Sequence, residues 1–398
     1  MLIARLALRD LIRDRFFLLC NTAVMVGILV PLLVLFGVKN GVYSALIGDM
    51  LSDPANLQID TAGNATLSEA EIAPLRDWPE IAFLTPRVRS QFDYMNVRAK
   101  GGRRFRTALV LPTGAGDPTL PPGTALAEGE VAISAQLAAQ IELSPGDMIQ
   151  MVGQAEDRPR QLVLEKRIGA VLPETALAGR AVLAPFATLD LIEAFYDSYS
   201  LPDYGITGTK DLSTRVAVYS GLRVYARSLE GLAPLQARME RELGLATSAR
   251  TRDVESLLGL GRKLNLALAG TATLAAIGLG AALILGFWSD VARKRVVLAG
   301  ISLIGVPSRQ LALFPVIQAL ATAALGLVLS FLLYALAGRG AAALFAEGLP
   351  GNAPLAVISP LQALGVSVLV LGLVLVASGA AAWSAQRLDP ASVLREGQ

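Results

Sequence analysis

The sequence predicts a membrane α-helical protein with four transmembrane helices and an α+β extracytoplasmic domain inserted between helices 1 and 2. Three observations predict it. Four charge-free apolar stretches are long enough to cross a bilayer, a segment of soluble character separates the first from the second, and Lys and Arg gather at alternate ends of the stretches. Composition agrees: 53% of the 398 residues are hydrophobic and 17% charged, and the mean hydropathy of +0.52 is high for a soluble globule. A formal charge of +2 is too mild to imply a nucleic-acid partner. With no histidine the chain lacks the usual general base and the commonest metal ligand, so neither catalysis, a metal nor a cofactor is expected of it. A single cysteine, Cys20, leaves no internal disulfide.

Residues 1–15 open the chain as an amphipathic entry helix. Arg5, Arg9 and Arg13 recur every four residues, and Leu2, Leu6, Leu8, Leu11 and Ile12 fill the other side, a pattern that lies on the inner membrane surface. It reads either as a topology anchor or as a lever touching a cytoplasmic partner. A helix rises about 1.5 Å per residue, so a hydrocarbon core of about 30 Å needs roughly 20 apolar residues. Residues 16–38, 264–288, 310–338 and 361–383 meet that requirement. The first is too long for a signal-peptide core, and Gly37-Val38-Lys39 is a poor cleavage site. Pro31 can bend this helix, and Asn21 is expected to bond a neighbouring one. Gly278, Ala282 and Gly286 fall at i, i+4 and i+8 on the second span, a small-residue stripe that suits close packing within or between subunits.

Residues 39–263 carry Pro, Gly and charge throughout and are long enough to bury a core, as two lobes. Ser68 and Glu71 make a capping-box pattern ahead of a helix that stops near Trp78-Pro79. Ser134 can cap a helix carrying Leu137 and Ile141, Pro145-Gly146-Asp147 turns the chain, and residues 148–152 read as a strand. Leu232, Leu235, Met239 and Leu243 line a further helix. Strand-like runs at 106–111, 161–164, 168–171 and 216–225 complete an α+β pattern.

Orientation follows from the basic residues. Arg5, Arg9, Arg13 and Arg15 precede the first span, Arg293, Lys294, Arg295 and Arg309 lie between the second and third, and Arg387 and Arg395 follow the fourth. Cytoplasmic loops hold such residues back, so both termini and the 289–309 loop are expected inside; the 339–360 loop, with Arg339 alone, is expected outside, and 384–398 is a cytoplasmic tail. Within 289–309 the run 296–304 is too short to span. It reads as a short amphipathic helix that docks a protein, or as a basic tether that fixes topology.

Several segments, in this order around this topology, resemble the FtsX-like, MacB-type (type VII) permeases of ABC transporters, with an architecture like that of the LolC/LolE pair. RKRVVLAGISLIGVPSRQLALFPVIQ (293–318) looks like the family's cytoplasmic signature; LALRDLIRDR (6–15) and RLDPASVLRE (387–396) resemble its entry and exit segments. Outside, GEVAISAQLAAQIELSPGD (129–147) and GAVLPETALAGRAVLAP (169–185) are similar to its periplasmic core domain. The sequence departs from the signature where Val296 or Val297 replaces a Glu and Leu303-Ile304-Gly305-Val306 lacks a preceding Arg.

The resemblance implies a bacterial inner-membrane subunit that pairs with a second permease, identical or not, and docks a cytoplasmic ABC ATPase. ATP-driven closure then passes through the helices to the outside domains by mechanotransmission. Carried over, the docking residues are Arg293, Lys294, Arg295, Ile301, Leu303, Ile304, Gly305 and Arg309, while Gly278, Ala282 and Gly286 pack subunits. A periplasmic adaptor or acceptor protein and membrane lipids are further implied partners. No GxxxxGK[ST] loop occurs here, so ATP and Mg belong to the separate ATPase. The expected activity is export or extraction of a lipoprotein, lipid, peptide, haem or drug. The alternatives are an FtsX-like transducer that activates an envelope hydrolase without transport, and a membrane receptor or enzyme independent of any ATPase.

Overall fold

The structure, a computed structural model, describes residues 2–155, 158–216, 218–294, 312–345 and 357–386, with Gly300 and Pro307 singly. Two compact units emerge: Met1–Leu46 with Gly261–Gln398 is helical, and Ile47–Leu260 is rich in β-structure. The chain opens with α1 (Leu2–Arg13) and α2 (Arg15–Ser52). On α1 the residues buried against the unit are Ala7 and Leu11, one turn apart, whereas Leu6, Leu8 and Ile12 stay exposed. The packed stripe is thus narrower than the apolar face the sequence suggests.

Helix α2 continues unbroken past Val38 to Ser52 and contains Pro31. Of its buried residues, Phe17, Asn21, Met25, Leu29, Leu33, Gly37 and Gly41 recur every four positions, with Thr22 beside them, so one ridge of the helix carries most of its packing.

In the β-rich unit, β1 (Gln58–Thr61) leads to α3 (Glu69–Ile72), where the Ser68 and Glu71 capping box forms as the sequence predicts. A 3-10 turn at Ala73–Asp77 ends that helical segment at Trp78. Then come β2 (Ile81–Arg87), β3 (Tyr94–Ala99), β4 (Arg106–Thr113), β5 (Glu130–Ser134), α4 (Ala135–Ile141), β6 (Met148–Gly153) and β7 (Leu162–Leu172). The runs expected at 161–164 and 168–171 are therefore one strand, because β7 pairs along its length with β6 on one edge and β5 on the other. The sequence ends with β8 (Ala181–Pro185), α5 (Phe186–Tyr196), β9 (Gly221–Ala226), α6 (Leu229–Leu243) and β10 (Thr247–Ala249).

The strand expected over 216–225 is shorter than predicted. Only β9 pairs on both sides and is buried throughout, while Val216 and Val218 stand exposed. Strand order gives two separate sheets within this one unit. An antiparallel sheet, β10-β1-β9-β2, packs Ile59, Leu222 and Val224 with Ile72 of α3 and Leu232, Leu235 and Met239 of α6. A six-stranded closed barrel, β3-β4-β8-β5-β7-β6, surrounds Val97, Val110, Ile133, Met151, Leu164 and Val182. Closure relies on two parallel pairings, β4 with β8 and β5 with β7, and it leaves the barrel without open edges.

The helical unit resumes with α7 (Thr251–Arg293), α8 (Leu313–Phe345) and α9 (Pro360–Gln386). With α2 these make four helices long and apolar enough to cross a membrane. Leu279, Leu283, Phe287 and Val291 of α7 pack with Ala319, Ala323 and Leu327 of α8 and with Val370, Val374, Ala377 and Ala381 of α9. Small residues let backbones approach: a Cβ at Gly326 would meet Met25 at 3.1 Å, and one at Gly37 would meet the Tyr334 hydroxyl at 2.5 Å.

Candidate functional site

Among the described residues, the helical unit gathers charge where α1, the N-terminus of α2, the C-terminus of α7 and the first turns of α8 meet. Lys294 is the hub. Its ammonium lies 2.7 Å from Asp10 Oδ2, 3.2 Å from Asp290 Oδ2 and 3.9 Å from Asp14 Oδ2, and it donates to Gln318 Oε1 at 3.4 Å. Arg293 sits beside it, 3.0 Å from Asp290 Oδ1 and 3.3 Å from Asp14 Oδ2. Gln318 closes the cluster by donating to the Ala7 carbonyl and to Asp10 Oδ2, each at 3.0 Å. Three carboxylates thus surround two cations, with the Phe17 ring beneath both at 5.6 Å.

Local sequence explains how each group arrives. Asp290, Arg293 and Lys294 lie within one helical turn, so all three project from the same end of α7. Asp14 lies between α1 and α2 and accepts from the Phe17 N–H at 3.4 Å, one of the orphan donors of the α2 N-terminus. Gln318 is fully buried one turn into α8, where an amide side chain needs partners; it finds them on α1 and Lys294. Burial pulls the Asp10 carboxyl upward, but the Lys294 and Gln318 bonds and the Lys294 and Arg13 charges outweigh it and hold the group below the usual carboxylate range. The arrangement is an electrostatic clamp: Lys294 and Arg293 are both matched by carboxylates.

Of the residues picked from the sequence, Arg293 and Lys294 come together here, though in different states. Lys294 is 14% exposed and committed to internal carboxylates, while Arg293 keeps 56% of its side chain open. Arg295, Ile301, Leu303, Ile304, Gly305 and Arg309 lie outside the described residues. The small-residue stripe divides. A Cβ at Gly286 would come within 2.8 Å of Asn21 Oδ1, so this glycine serves the packing of α7 on α2; Ala282 is half-buried; Gly278 meets nothing within 4 Å. It is Gly280 that faces α9, with Leu373 3.2 Å from its would-be Cβ. Asn21 donates to the Phe17 carbonyl of its own helix at 3.0 Å rather than to a neighbour.

Sequence reasoning missed Asp10, Asp14, Asp290 and Gln318. The available signals were two acids inside an Arg-rich amphipathic segment and a glutamine inside an apolar stretch.

Two other surfaces of the unit are apolar. Leu274, Ile277, Leu285 and Trp288 are exposed along one face of α7 that also carries Gly278 and Ala281. An apolar cleft of about 570 Å³ lies among α2, α7 and α9, lined by Ile28, Leu32, Phe36, Ala272, Ala276 and Leu369. At its polar margin Gln362 accepts a hydrogen bond from the Asn40 side chain at 3.2 Å.

In comparisons with known proteins, no family model matches the chain and no curated protein matches it.

Proposed function

We propose that this chain is the non-catalytic permease subunit of an FtsX-like, MacB-type ABC transporter. On this reading it couples ATP hydrolysis by a separate cytoplasmic ATPase to export or extraction of a substrate on the far side of a bacterial inner membrane. The observation that carries the reading is the clamp. It fastens α1, the start of α2, the end of α7 and α8 together at one end, and α2 and α7 are the two helices that run without a break into the β-rich unit. A displacement imposed on the 289–309 loop would act through Lys294 and Arg293 on the ends of both helices. The motif resemblance and the order of basic segments support the same reading.

Within this reading Lys294 is a positioning residue that ties the docking loop to α1, and Arg293, paired with Asp14 and Asp290 but still 56% exposed, is the contact available to an ATPase. The second permease subunit covers the exposed α7 face around Gly278 and Ala281, where small residues admit a close helix. The test is purification of the full chain from its native membrane in mild detergent, followed by cross-linking mass spectrometry and ATPase assay. Expected are an ABC ATPase cross-linked near Arg293 and hydrolysis that falls in an Arg293→Glu variant. A chain that purifies free of any ATPase, with cross-links confined to itself, sinks the reading.

A further inference from the structure

The β3–β4 connection of the barrel, residues 100–105, joins two strands that together present Arg98, Lys100, Arg103, Arg104 and Arg106 within nine positions. Its turn is built for projection: Gly101 adopts φ +79, and the Gly102 N–H bonds the Ala99 carbonyl at 2.9 Å. Phe105, the last residue before β4, is 44% exposed, with the Arg98 guanidinium 4.8 Å from its ring centroid. Three carboxylates face five cations, and only one pair is close. Glu165 takes Lys100 at 2.7 Å, Glu142 reaches Arg104 at only 3.8 Å with both side chains largely in solvent, and Asp147 accepts from the Ser144 N–H at 2.8 Å. Arg103 is exposed and has no partner among the described residues, and Arg106 reaches only the Phe105 carbonyl. Cations in clear excess around a solvent-facing aromatic ring serve no packing purpose in the barrel, whose core is complete without them.

We infer that this hairpin tip is an attachment site for an anionic phospholipid surface, with Arg103, Arg104 and Arg106 on headgroup phosphates and Phe105 entering the interfacial layer. The chemistry favours lipid over an acidic protein. A phosphate-dense plane satisfies several guanidiniums at once without a shaped partner, and an exposed aromatic flanked by cations belongs at the boundary between headgroup and acyl chain. The inference stands apart from the transporter reading, since it needs only an accessible hairpin and a lipid surface.

The test places the full chain in nanodiscs of purely zwitterionic lipid and measures its sedimentation with added vesicles of phosphatidylcholine alone or with phosphatidylglycerol. Capture by the anionic vesicles only, weakened by salt, is expected. Each basic residue near an anionic surface contributes about five-fold in affinity, so R103A/R104A should lower capture roughly 25-fold. F105S should lower it several-fold with an unchanged melting curve. Equal capture of wild type and R103A/R104A overturns the inference. So does competition by soluble polyglutamate that is indifferent to F105S, an outcome that would assign the hairpin to an acidic protein.

Discussion

The two units of the molecule handle buried charge in opposite ways. In the β-rich unit, charge sits deep among the elements: Arg223, 1% exposed, bonds the Pro112 carbonyl at 2.9 Å, Asp117 at 3.2 Å and the Tyr225 hydroxyl at 2.5 Å, while Thr113 and Thr119 donate to the same carboxylate. Burial pushes the Tyr225 phenol well above its ordinary pKa. A second network joins Arg215 to Asp190, Glu193 and Asp197, with Arg89 on the latter two. In the helical unit the packed interior is alanine, leucine, valine, phenylalanine and Met25, and the ion pairs among its described residues collect at the Lys294 clamp. A soluble lobe can satisfy a buried ion with strands from all sides, whereas a bundle of apolar helices has backbone groups already bonded and few spare acceptors. Charge in the first unit therefore specifies the fold, and charge in the second fastens helix ends.

Breaking this contrast at its strongest point means removing Asp117. Asp117→Ala strands Arg223 as a buried unpaired cation and is expected to cost about 3–5 kcal/mol. Thermal unfolding in detergent, followed by protease sensitivity of the β-rich unit, measures it. The double variant Asp117→Ala with Arg223→Met should recover much of the loss; a single variant as stable as wild type would show that the pair specifies nothing.

The clamp comes next. Lys294→Met removes the cation paired with Asp10 and leaves Asp290 with Arg293 alone, and it should cost about 1.5–3 kcal/mol, the range for hydrogen bonds to charged groups. Faster protease cleavage within α1 than within α8 reports the release, and no change in that ratio would show that the clamp does not hold α1. Acid should act in the same direction. Because the Asp10 carboxyl titrates below its ordinary range in the folded chain, its contribution is present above that range and lost as pH falls through the lowered value. In Lys294→Met, the part of the acid sensitivity of α1 that comes from Asp10 should shrink, since only the Gln318 bond and the Arg13 charge remain to lower that carboxyl.

Glycine substitutions sharpen the comparison within the helical unit. Gly286→Leu forces a side chain into Asn21 and should destabilise by about 1–3 kcal/mol. Gly278→Leu meets open space and should leave the melting temperature of the isolated chain unchanged, while weakening association if a second subunit covers that face. Size-exclusion chromatography of both variants separates the two effects. The smallest change expected is at the rim of the β-rich unit: Arg250 is half exposed in its 2.8 Å pair with Asp53, and Arg250→Ser should shift stability by less than about 1 kcal/mol. A larger loss would mean that surface pairs, and not only buried ones, specify this unit.

How much was legible in advance depended on sequence distance. The capping box at Ser68 and Glu71, and the Ser134 cap that accepts from the Leu137 N–H at 3.3 Å, join residues three apart, so the pattern names both partners. The four apolar stretches were equally plain, because charge-free length is a property of the segment itself. The same Ser134 hydroxyl also accepts from the Ala181 N–H, 47 residues away, and nothing local announces that second bond. Strand ends failed similarly: Val216 and Val218 have the side chains of a strand, but β9 begins only at Gly221, where the pairing with Arg87 of β2 starts.

By itself, then, the sequence determined that this chain carries four helices of membrane-crossing length around one long insert, where its helix caps fall, and that charge clusters at particular helix ends. These follow from hydropathy and from hydrogen bonds a few residues long. Only the tertiary structure decided that the insert closes a barrel through the parallel β4–β8 and β5–β7 pairs, that Arg223 meets Asp117 across 106 residues, and that Lys294 reaches Asp10 across 284. Such partners are selected by shape and by the cost of leaving a buried group unpaired, and those terms exist only once the chain has folded.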